Sequence, residues 1–294
     1  MKNKIKNSKF LKSLYALIVV VLGYITIQFS ENGIDIIFNI PDETTLVEDH
    51  VAVLDAGQAD SAVIVSDGQI CLIDAGSTDT GSTNAVKYLE QLGAKKVDVM
   101  VITHFHSDHT NDVLNVMNKF EVDTIVIPNL TKKNTPTTAF FQKFLKKVEE
   151  KNINLVPAKK GDVYYIGDGT LTVLDDTYND LGVNDTSVAT LFKQGGFTFL
   201  STGDGEREYE QRLLKVFSDK VTLFTAGHHG STTSNTIEFI EAVNPDYMAV
   251  SAGKDNDYGH PHREIVELME EKGISYGITF KQGTLIYSIS DYNY

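Results

Sequence analysis

Cysteine is almost absent from this sequence, and basic residues are too few to balance the acidic ones. Cys71 is the only cysteine among 294 residues, which excludes a disulfide framework and a cysteine-based zinc site. Its position in the apolar run 70–73 predicts a buried strand residue. The formal net charge of −14 argues against a broad, non-specific nucleic-acid surface. A small anionic substrate held by a metal ion remains compatible with this charge.

The N-terminal segment combines basic residues with an apolar run. Five lysines lie within the first twelve residues, which contain no acid, and residues 14–29 carry no charge. This pattern is typical of a signal peptide or an uncleaved membrane anchor. No A-x-A-like cleavage site follows, so we expect an anchor helix that enters the membrane through residues 10–29. Because basic residues stay inside, the rest of the chain should lie outside the membrane, or be secreted if cleavage occurs.

The chain divides into three parts by composition. Residues 1–30 form the anchor or signal peptide, and residues 31–44 form a polar linker. Residues 45–294 alternate strand and helix patterns and are long enough to bury one substantial core. The sequence therefore predicts a single α/β domain after the linker.

The stretch 99–112 reads VMVITHFHSDHTND and gathers four candidate metal ligands behind a buried strand. The candidates are His104, His106, Asp108 and His109. Alternation puts the first two imidazoles on the same side of an extended chain, and a helix over 111–120 follows. Three imidazoles and a carboxylate suit borderline divalent ions, zinc above all, with manganese or iron as alternatives. A solvated histidine-rich turn is the plain alternative.

Three further strands end in candidate residues. Asp74 precedes a glycine turn, Asp204 ends the strand in LSTGDGE, and His228 and His229 end the strand 223–227. The carboxylate of Asp204 can bridge two metal ions, with a helix N-cap as its alternative role. At most one of the adjacent histidines need bind metal, since neighbours on an extended chain point oppositely.

Two loop residues are candidates for substrate contact. His260 lies in GKDNDYGHPH after another strand. We therefore expect it at the opening of the same metal site, in contact with the substrate or its leaving group. His262 is expected to cap a helix or face solvent. Asn184 stands in NDTS before a strand and is a candidate substrate contact, with an Asx turn as its default alternative.

The H-x-H-x-D-H run at 104–109 resembles the signature of the metallo-β-lactamase superfamily, a group of mostly hydrolytic metalloenzymes. Together with DAGQAD, LIDAG, NDTS, TGD, GHHGS and NDYGHP, it resembles the extracellular metallo-β-lactamase-like domain of the bacterial competence protein ComEC. It is also similar to secreted phosphorylcholine esterases. The resemblance covers residues 51–289 and implies a four-layer αββα sandwich at a bacterial cell membrane.

The resemblance also implies a two-metal site. Its first ion would be held by His104, His106 and bridging Asp204, and its second by Asp108, His109, Asp204 and His229. Asp74 would orient a metal-bound imidazole from outside, and His228 would face the substrate. Superfamily members often place a further histidine before the bridging aspartate, but none occurs within 110–227.

These residues lead to the hypothesis of a two-metal hydrolase for a small or terminal phosphodiester, or for single-stranded DNA. Asp108 would steer the attacking water, and His228 or His260 would stabilise developing charge or protonate the leaving oxygen. Lactone or β-lactam hydrolysis is the nearest alternative, because it uses the same water but needs an acyl pocket. An alternative of another class is a surface protein that binds metal or a partner without turnover.

Overall fold

The computed structural model describes the backbone of residues 15–20, 23–30, 33–39, 48–175 and 182–292. The chain divides into two compact units, Met1–Leu46 and Val47–Tyr294. In the first unit, three strands form an antiparallel sheet in chain order. These strands are β1 (Tyr15–Val20), β2 (Gly23–Ser30) and β3 (Gly33–Asn39).

The first unit differs from the anchor helix that the sequence predicts. The described part of residues 10–29 lies in β1 and β2, and residues 10–14, 21 and 22 lie outside the described residues. The run is rich in isoleucine and valine, whose branched side chains favour strands, and a short apolar run does not distinguish helix from strand. Within the described residues, no helix combines the length and apolar character needed to cross a membrane.

The second unit contains two seven-stranded sheets and eight α-helices among its described residues. The strands are β4 (His50–Val53), β5 (Ala62–Ser66), β6 (Gln69–Ile73), β7 (Lys96–Val101), β8 (Glu121–Ile127), β9 (Asn154–Pro157), β10 (Val163–Ile166), β11 (Gly169–Val173), β12 (Thr190–Gln194), β13 (Phe197–Ser201), β14 (Leu223–Thr225), β15 (Tyr247–Val250), β16 (Ser275–Ile278) and β17 (Leu285–Ser288). The helices are α1 (Ala85–Gln91), α2 (Ser107–Thr110), α3 (Val113–Lys119), α4 (Ala139–Lys151), α5 (Arg207–Leu213), α6 (Ile237–Val243), α7 (Arg263–Lys272) and α8 (Thr279–Gln282).

Both sheets are mixed. The first has the order β17-β4-β5-β6-β7-β8-β9, antiparallel up to β6 and parallel from β6 to β9. The second has the order β10-β11-β12-β13-β14-β15-β16, antiparallel up to β13 and parallel beyond it. The parallel strands of each sheet therefore end at one edge, where connecting loops can meet.

Three apolar clusters define four layers. In β7, Met100 packs with the helices that cover the first sheet, while Val99 and Val101 pack against the second sheet. In β14, Phe224 packs with the helices of the second sheet, and Leu223 lies in the cluster between the sheets. Each fully buried side chain of this kind contributes roughly 1.5–3 kcal/mol. The two sheets thus lie face to face with helices outside them, which confirms the α/β metallo-β-lactamase-like architecture.

Candidate metal centre

The candidate residues lie where strands of both sheets end. Asp74 follows β6 and His104 follows β7, which are parallel neighbours in the first sheet. Asp204 follows β13 and His229 follows β14, which are parallel neighbours in the second sheet. The centre is therefore built between the two sheets, from residues that are up to 155 positions apart in the sequence.

In the loop after β7, His104 and His106 flank Phe105, a residue that packs into the apolar core. Phe105 packs edge-on against Phe141 and Phe144 of α4, with ring centroids 5.0 and 6.0 Å apart. Its neighbours His104 and His106 consequently face away from that core, with His104 Nε2 3.0 Å from His106 Nδ1. His104 is fully buried, whereas His106 is exposed. Burial and the neighbouring His109 lower the pKa of His104 well below its ordinary value.

Asp74 holds His109 in one orientation. Its Oδ1 accepts a hydrogen bond from Thr103 N at 2.8 Å, and its Oδ2 lies 2.7 Å from His109 Nδ1. Because a carboxylate only accepts, Nδ1 carries the proton and Nε2 is free to act as a ligand. Burial opposes a charge on His109, but Asp204 and Asp74 raise its pKa well above the ordinary value.

Asp204 lies at the middle of the cluster and is only 1% exposed. Its Oδ1 is 3.2 Å from His109 Nε2. Its Oδ2 lies 3.7 Å from His104 Nε2, 3.6 Å from His228 Nε2 and 4.0 Å from His229 Nε2. Burial opposes a charge on Asp204, but the surrounding histidines hold its pKa well below the ordinary value. Helix α5 has Glu206 as its N-cap, so Asp204 is not the cap that the alternative interpretation required.

His228 and His229 lie in a 3-10 turn instead of continuing the strand. Both have left-handed backbone angles, with φ of 51° and 55°. His229 Nδ1 donates to Ser251 O at 3.0 Å, and its Nε2 lies 3.3 Å from Asp108 Oδ2. Burial opposes a charge on His229, but Asp60 and the other carboxylates raise its pKa to about 9. His228 is less buried and faces the cleft described below.

A buried polar network closes this turn. Asn235 Oδ1 accepts from Gly227 N, and its Nδ2 donates to Gly227 O, all at 2.8 Å. Glu210 of α5 accepts from Asn235 N at 2.6 Å and from Thr236 N at 2.9 Å. Glu210 is fully buried, and this burial raises its pKa to about 7. Neither residue is predicted from the sequence, where the position of Asn235 just before α6 is the one usable signal.

Two groups of side chains could each hold a cation. The first group is His104, His106 and Asp204, and the second is Asp60, His109, Asp204 and His229. Within each group, one ligand atom from every residue lies within 4.8 Å of the ligand atoms of the others. The two sets share Asp204, as a bridging carboxylate requires. Asp60 was missed from sequence, although it ends the motif DAGQAD. Asp108, which the sequence placed in the second set, lies beside His229 at the edge of this group.

The donor atoms fit divalent metal ions. His109 Nε2 and Asp204 Oδ1 are buried and 3.2 Å apart, yet neither has a hydrogen-bond partner among the described residues. The two atoms form an ion pair when His109 is doubly protonated, and without that second proton two buried acceptors would face each other. A shared cation would satisfy both atoms, and imidazole nitrogen with carboxylate oxygen is a donor set suited to zinc, manganese or iron.

A cleft with a volume of about 310 Å³ opens above the cluster. It is lined by Gln58, His106, Ser107, Asp108, Asn184, Asp204, His228, His229, Tyr258 and His260. The structure thus brings all the predicted substrate-contact residues to one cleft. Burial acts to raise the pKa of Asp108, but His229 and His109 outweigh burial and lower this pKa to about 2. Asp108 is therefore ionised at neutral pH.

His260 and Asn184 line the cleft from two different loops. Gln58 Nε2 lies 3.4 Å from His260 Nδ1, which makes this nitrogen an acceptor and leaves the proton on Nε2. Burial and the neighbouring His229 lower the pKa of His260 to about 4. Asn184 Nδ2 donates to Glu206 at 3.1 Å, while its buried Oδ1 has no hydrogen-bond partner among the described residues.

His262 plays a different part from its neighbour. It is the N-cap residue of α7 but makes no side-chain capping hydrogen bond. Its Nδ1 accepts from Thr232 N at 3.0 Å, and its Nε2 lies 3.2 Å from Tyr258 O. His262 therefore joins the two loops that carry His229 and His260.

Residues 54–254 match the family model described as "Metallo-beta-lactamase superfamily". ComE operon protein 3 from Bacillus subtilis (strain 168) is 30% identical over 259 residues, which are 82% of this chain and 33% of that protein. Competence protein ComA from Neisseria gonorrhoeae is 25% identical over 260 residues, which are 85% of this chain and 33% of that protein. The chain spans about a third of the length of these curated relatives.

Solved structures share the fold at lower identity. CmlA, a diiron β-hydroxylase from Streptomyces venezuelae, matches with a TM-score of 0.56 and 16% identity over 84% of this chain and 55% of that chain. Igni18, a metallo hydrolase from the archaeon Ignicoccus hospitalis KIN4/I, matches with a TM-score of 0.54 and 17% identity over 82% of this chain and 99% of that chain. At these identities the likeness shows the fold alone.

Proposed function

Because this chain belongs to the metallo-beta-lactamase superfamily, we propose that it is a two-metal hydrolase that cleaves phosphodiesters. The observation that carries this proposal is Asp204, which lies between two groups of ligand-type side chains on the floor of an open cleft. A carboxylate in that position can hold two ions close enough to act on one substrate.

The ions would be held by the residues that the sequence indicated. His104 and His106 would hold the first with Asp204, and His109 and His229 would hold the second with Asp204 and Asp108. We propose zinc as the metal, with manganese or iron as alternatives. When bound, two such ions supply Lewis acidity toward a phosphate oxygen and toward an attacking water.

The protein's own side chains would orient the substrate and move protons. Asp108 is ionised and beside the second group of ligands, so it can accept a hydrogen bond from the attacking water. His260 is neutral and keeps its Nε2 proton, which makes it a donor toward a phosphate or leaving oxygen. His228 lies on the same side of the cleft, with ring centroids 5.5 Å from His260.

The cleft favours a phosphodiester over an acyl substrate. It is lined by imidazoles, amides and carboxylates, and a lactone or β-lactam would need an apolar acyl pocket beside the water. One matched relative is named a competence protein, which supports a nucleic-acid fragment, such as single-stranded DNA, as one phosphodiester to test. The acidic chain favours a small or terminal substrate over an extended nucleic-acid track.

We also propose that the enzyme acts outside a bacterial membrane, attached through residues 10–29. The support is the run of lysines followed by sixteen uncharged residues. Fractionation of expressing cells, followed by protease treatment of intact cells, tests this location. Recovery of the full chain in the soluble cytoplasmic fraction would contradict it.

Hydrolysis by the metal-loaded full chain tests the function. We would compare bis(4-nitrophenyl) phosphate, a labelled single-stranded oligonucleotide and a chromogenic β-lactam after loading with Zn²⁺ or Mn²⁺. We expect phosphodiester cleavage that falls at least about 100-fold in His106→Ala, because this variant removes a ligand. Asp219→Asn, which changes an exposed carboxylate, should retain the wild-type rate.

The other outcomes assign other functions. Cleavage of the β-lactam alone would overturn the proposed substrate class. Two bound ions without turnover of any of the three substrates would favour a binding protein of this fold.

A further inference from the structure

Asp60 lies at the second group of ligands, although the H-x-H-x-D-H run supplies no reason to expect it there. One of its carboxylate oxygens belongs to the set in which all ligand atoms lie within 4.8 Å of one another. Four ligand atoms placed tetrahedrally about 2.0–2.2 Å from one ion lie roughly 3.4 Å apart. Closing this set around an ion therefore requires side-chain movements of up to about 1 Å.

The backbone around Asp60 is fixed to the other ligand loops. Asp60 N donates to Asp108 O at 3.0 Å, and Asp60 O accepts from Gly76 N at 2.9 Å. A Cβ on Gly76 would lie 1.6 Å from Asp108 O, so only glycine lets these loops approach so closely. Ser251 Oγ also donates to Ala59 O at 2.7 Å. The Asp60 side chain is thus presented to the centre from a preorganised loop.

An indirect role through His229 explains this position less well. Asp60 Oδ1 lies 3.6 Å from His229 Nδ1, which is beyond hydrogen-bond distance. That nitrogen already donates to Ser251 O at 3.0 Å, so it has no second proton to give. The Asp60 side chain is only 18% exposed and lies at ion-pair distance from His229. Once His229 acts as a neutral metal ligand, the bound cation is the positive partner that this partly buried carboxylate needs.

We propose that Asp60 is a direct oxygen ligand of the second metal ion. With Asp60, that position receives two imidazoles and two carboxylates from the mutual set, and Asp108 adjoins it. The first position has two imidazoles and one carboxylate. The two positions then differ in ligand number, and the second binds its ion more tightly. This inference rests on the proposed two-metal centre but is independent of the substrate.

Metal binding by variants of the full chain tests the proposal. Asp60→Asn keeps the shape but removes the charge, and Asp60→Ala removes the ligand. Asp79→Asn is the matched control, because Asp79 is an exposed carboxylate on the neighbouring loop. Equilibrium dialysis against Zn²⁺ with elemental analysis gives the number and affinity of bound ions. The visible spectrum of Co²⁺-loaded protein reports changes in ligand number independently of activity.

We expect two ions per chain in wild type and in Asp79→Asn. Both Asp60 variants should bind one of the two ions at least about 10-fold more weakly and should change the Co²⁺ spectrum. Wild-type affinity and an unchanged spectrum in both variants would overturn the proposal. If Asp60→Ala fails to fold, as judged by circular dichroism, the isosteric Asp60→Asn carries the test. Loss of hydrolysis by wild type holding two ions would instead overturn the proposed function.

Discussion

At the scale of single residues, Asp74 shows how a carboxylate that binds no metal can fix the orientation of a metal ligand, His109. It accepts hydrogen bonds from Thr103 N, Thr103 Oγ1 and His109 Nδ1 at 2.8, 2.6 and 2.7 Å. All three partners approach as donors, so the site has no place for an amide N–H₂. The charge and the acceptor geometry are therefore both needed to keep His109 Nε2 directed at Asp204.

Replacing Asp74 by asparagine should weaken metal binding without removing a ligand. We expect a 10- to 100-fold loss of affinity for one ion, because His109 loses the acceptor that fixes its tautomer. Competition with a chromophoric chelator measures this loss. Asp219→Asn alters an exposed carboxylate and serves as the control. Equal affinities for Asp74→Asn and wild type would contradict an orienting role for Asp74.

Glu210 should make the stability of the fold depend on pH. Burial raises its pKa to about 7, from an ordinary value of 4.5. Between these two values the folded state keeps a proton on Glu210 that the unfolded state releases. The contribution of Glu210 to the free energy of unfolding is therefore fully present below pH 4.5. The free energy of unfolding then falls by up to about 1.4 kcal/mol per pH unit as the pH rises from 4.5, and this contribution is lost once the pH has passed about 7. Denaturant titrations at several pH values measure this slope.

Glu210→Gln should remove that slope, because the amide does not titrate. Glu208→Gln changes an exposed glutamate on the same helix and should keep the wild-type slope. A constant offset in the free energy of unfolding is expected for Glu210→Gln, since its amide N–H₂ would face the donors of Asn235 and Thr236. An unchanged slope in this variant would refute the role of Glu210 as a buried titrating group.

At the scale of elements, the loop from β7 to α2 depends on a side chain that faces away from the centre. Phe105 and Phe140 are both partly buried, and both pack on Phe144, at centroid distances of 6.0 and 6.2 Å. Only Phe105 lies between two candidate ligands. Truncating Phe140 therefore removes packing alone, whereas truncating Phe105 removes similar packing and also the contact that positions His104 and His106.

Phe105→Ala and Phe140→Ala should therefore have different effects on metal binding. Each should lower the free energy of unfolding by about 2–3 kcal/mol, as partly buried aromatic truncations do. Only Phe105→Ala should also weaken the ion held by His104 and His106, because the loop between them loses its anchor. Denaturation curves and equilibrium dialysis on the same samples measure the two effects. Similar metal affinities in the two variants would contradict this function of Phe105.

The sequence predicts most of the elements, because their signals are local. Alternation around Phe105, apolar periodicity in α4 and the glycine turn after Asp74 are each contained in a short window. The same windows place candidate ligands behind strand ends, where the structure has them. Local signals do not show which strand ends face one another. That information came from the family resemblance.

Residues that depend on contacts between distant segments were not predictable. Asp60 reaches the centre because its loop is bonded to Asp108 and Gly76, and no local pattern encodes that closure. His228 and His229 were expected to point oppositely on an extended chain, whereas both residues adopt left-handed angles. That turn is imposed by Asn235 and Glu210, the latter from a helix that precedes it.

At the scale of the molecule, the centre joins the two sheets. His104, His109 and Asp74 come from the first sheet, and Asp204 and His229 come from the second. An apolar cluster lies between the sheets, and at its edge the buried Asp204 Oδ1 and His109 Nε2 face each other from the two sheets at 3.2 Å. Ions bound there would act as cross-links between the halves.

Metal removal should therefore lower the thermal stability of the whole second unit. An ion present at 100 times its dissociation constant adds about 2.7 kcal/mol, which corresponds to a rise in Tm of roughly 5–10 °C for a unit of this size. Calorimetry after chelation, with Zn²⁺ added back in steps, measures the rise, and hydrogen exchange should show protection returning at the ends of both β7 and β13. Asp204→Asn should respond weakly, because the ligand shared by both groups is altered. If wild-type Tm is independent of Zn²⁺, or if protection returns in one sheet only, the ions do not join the two halves.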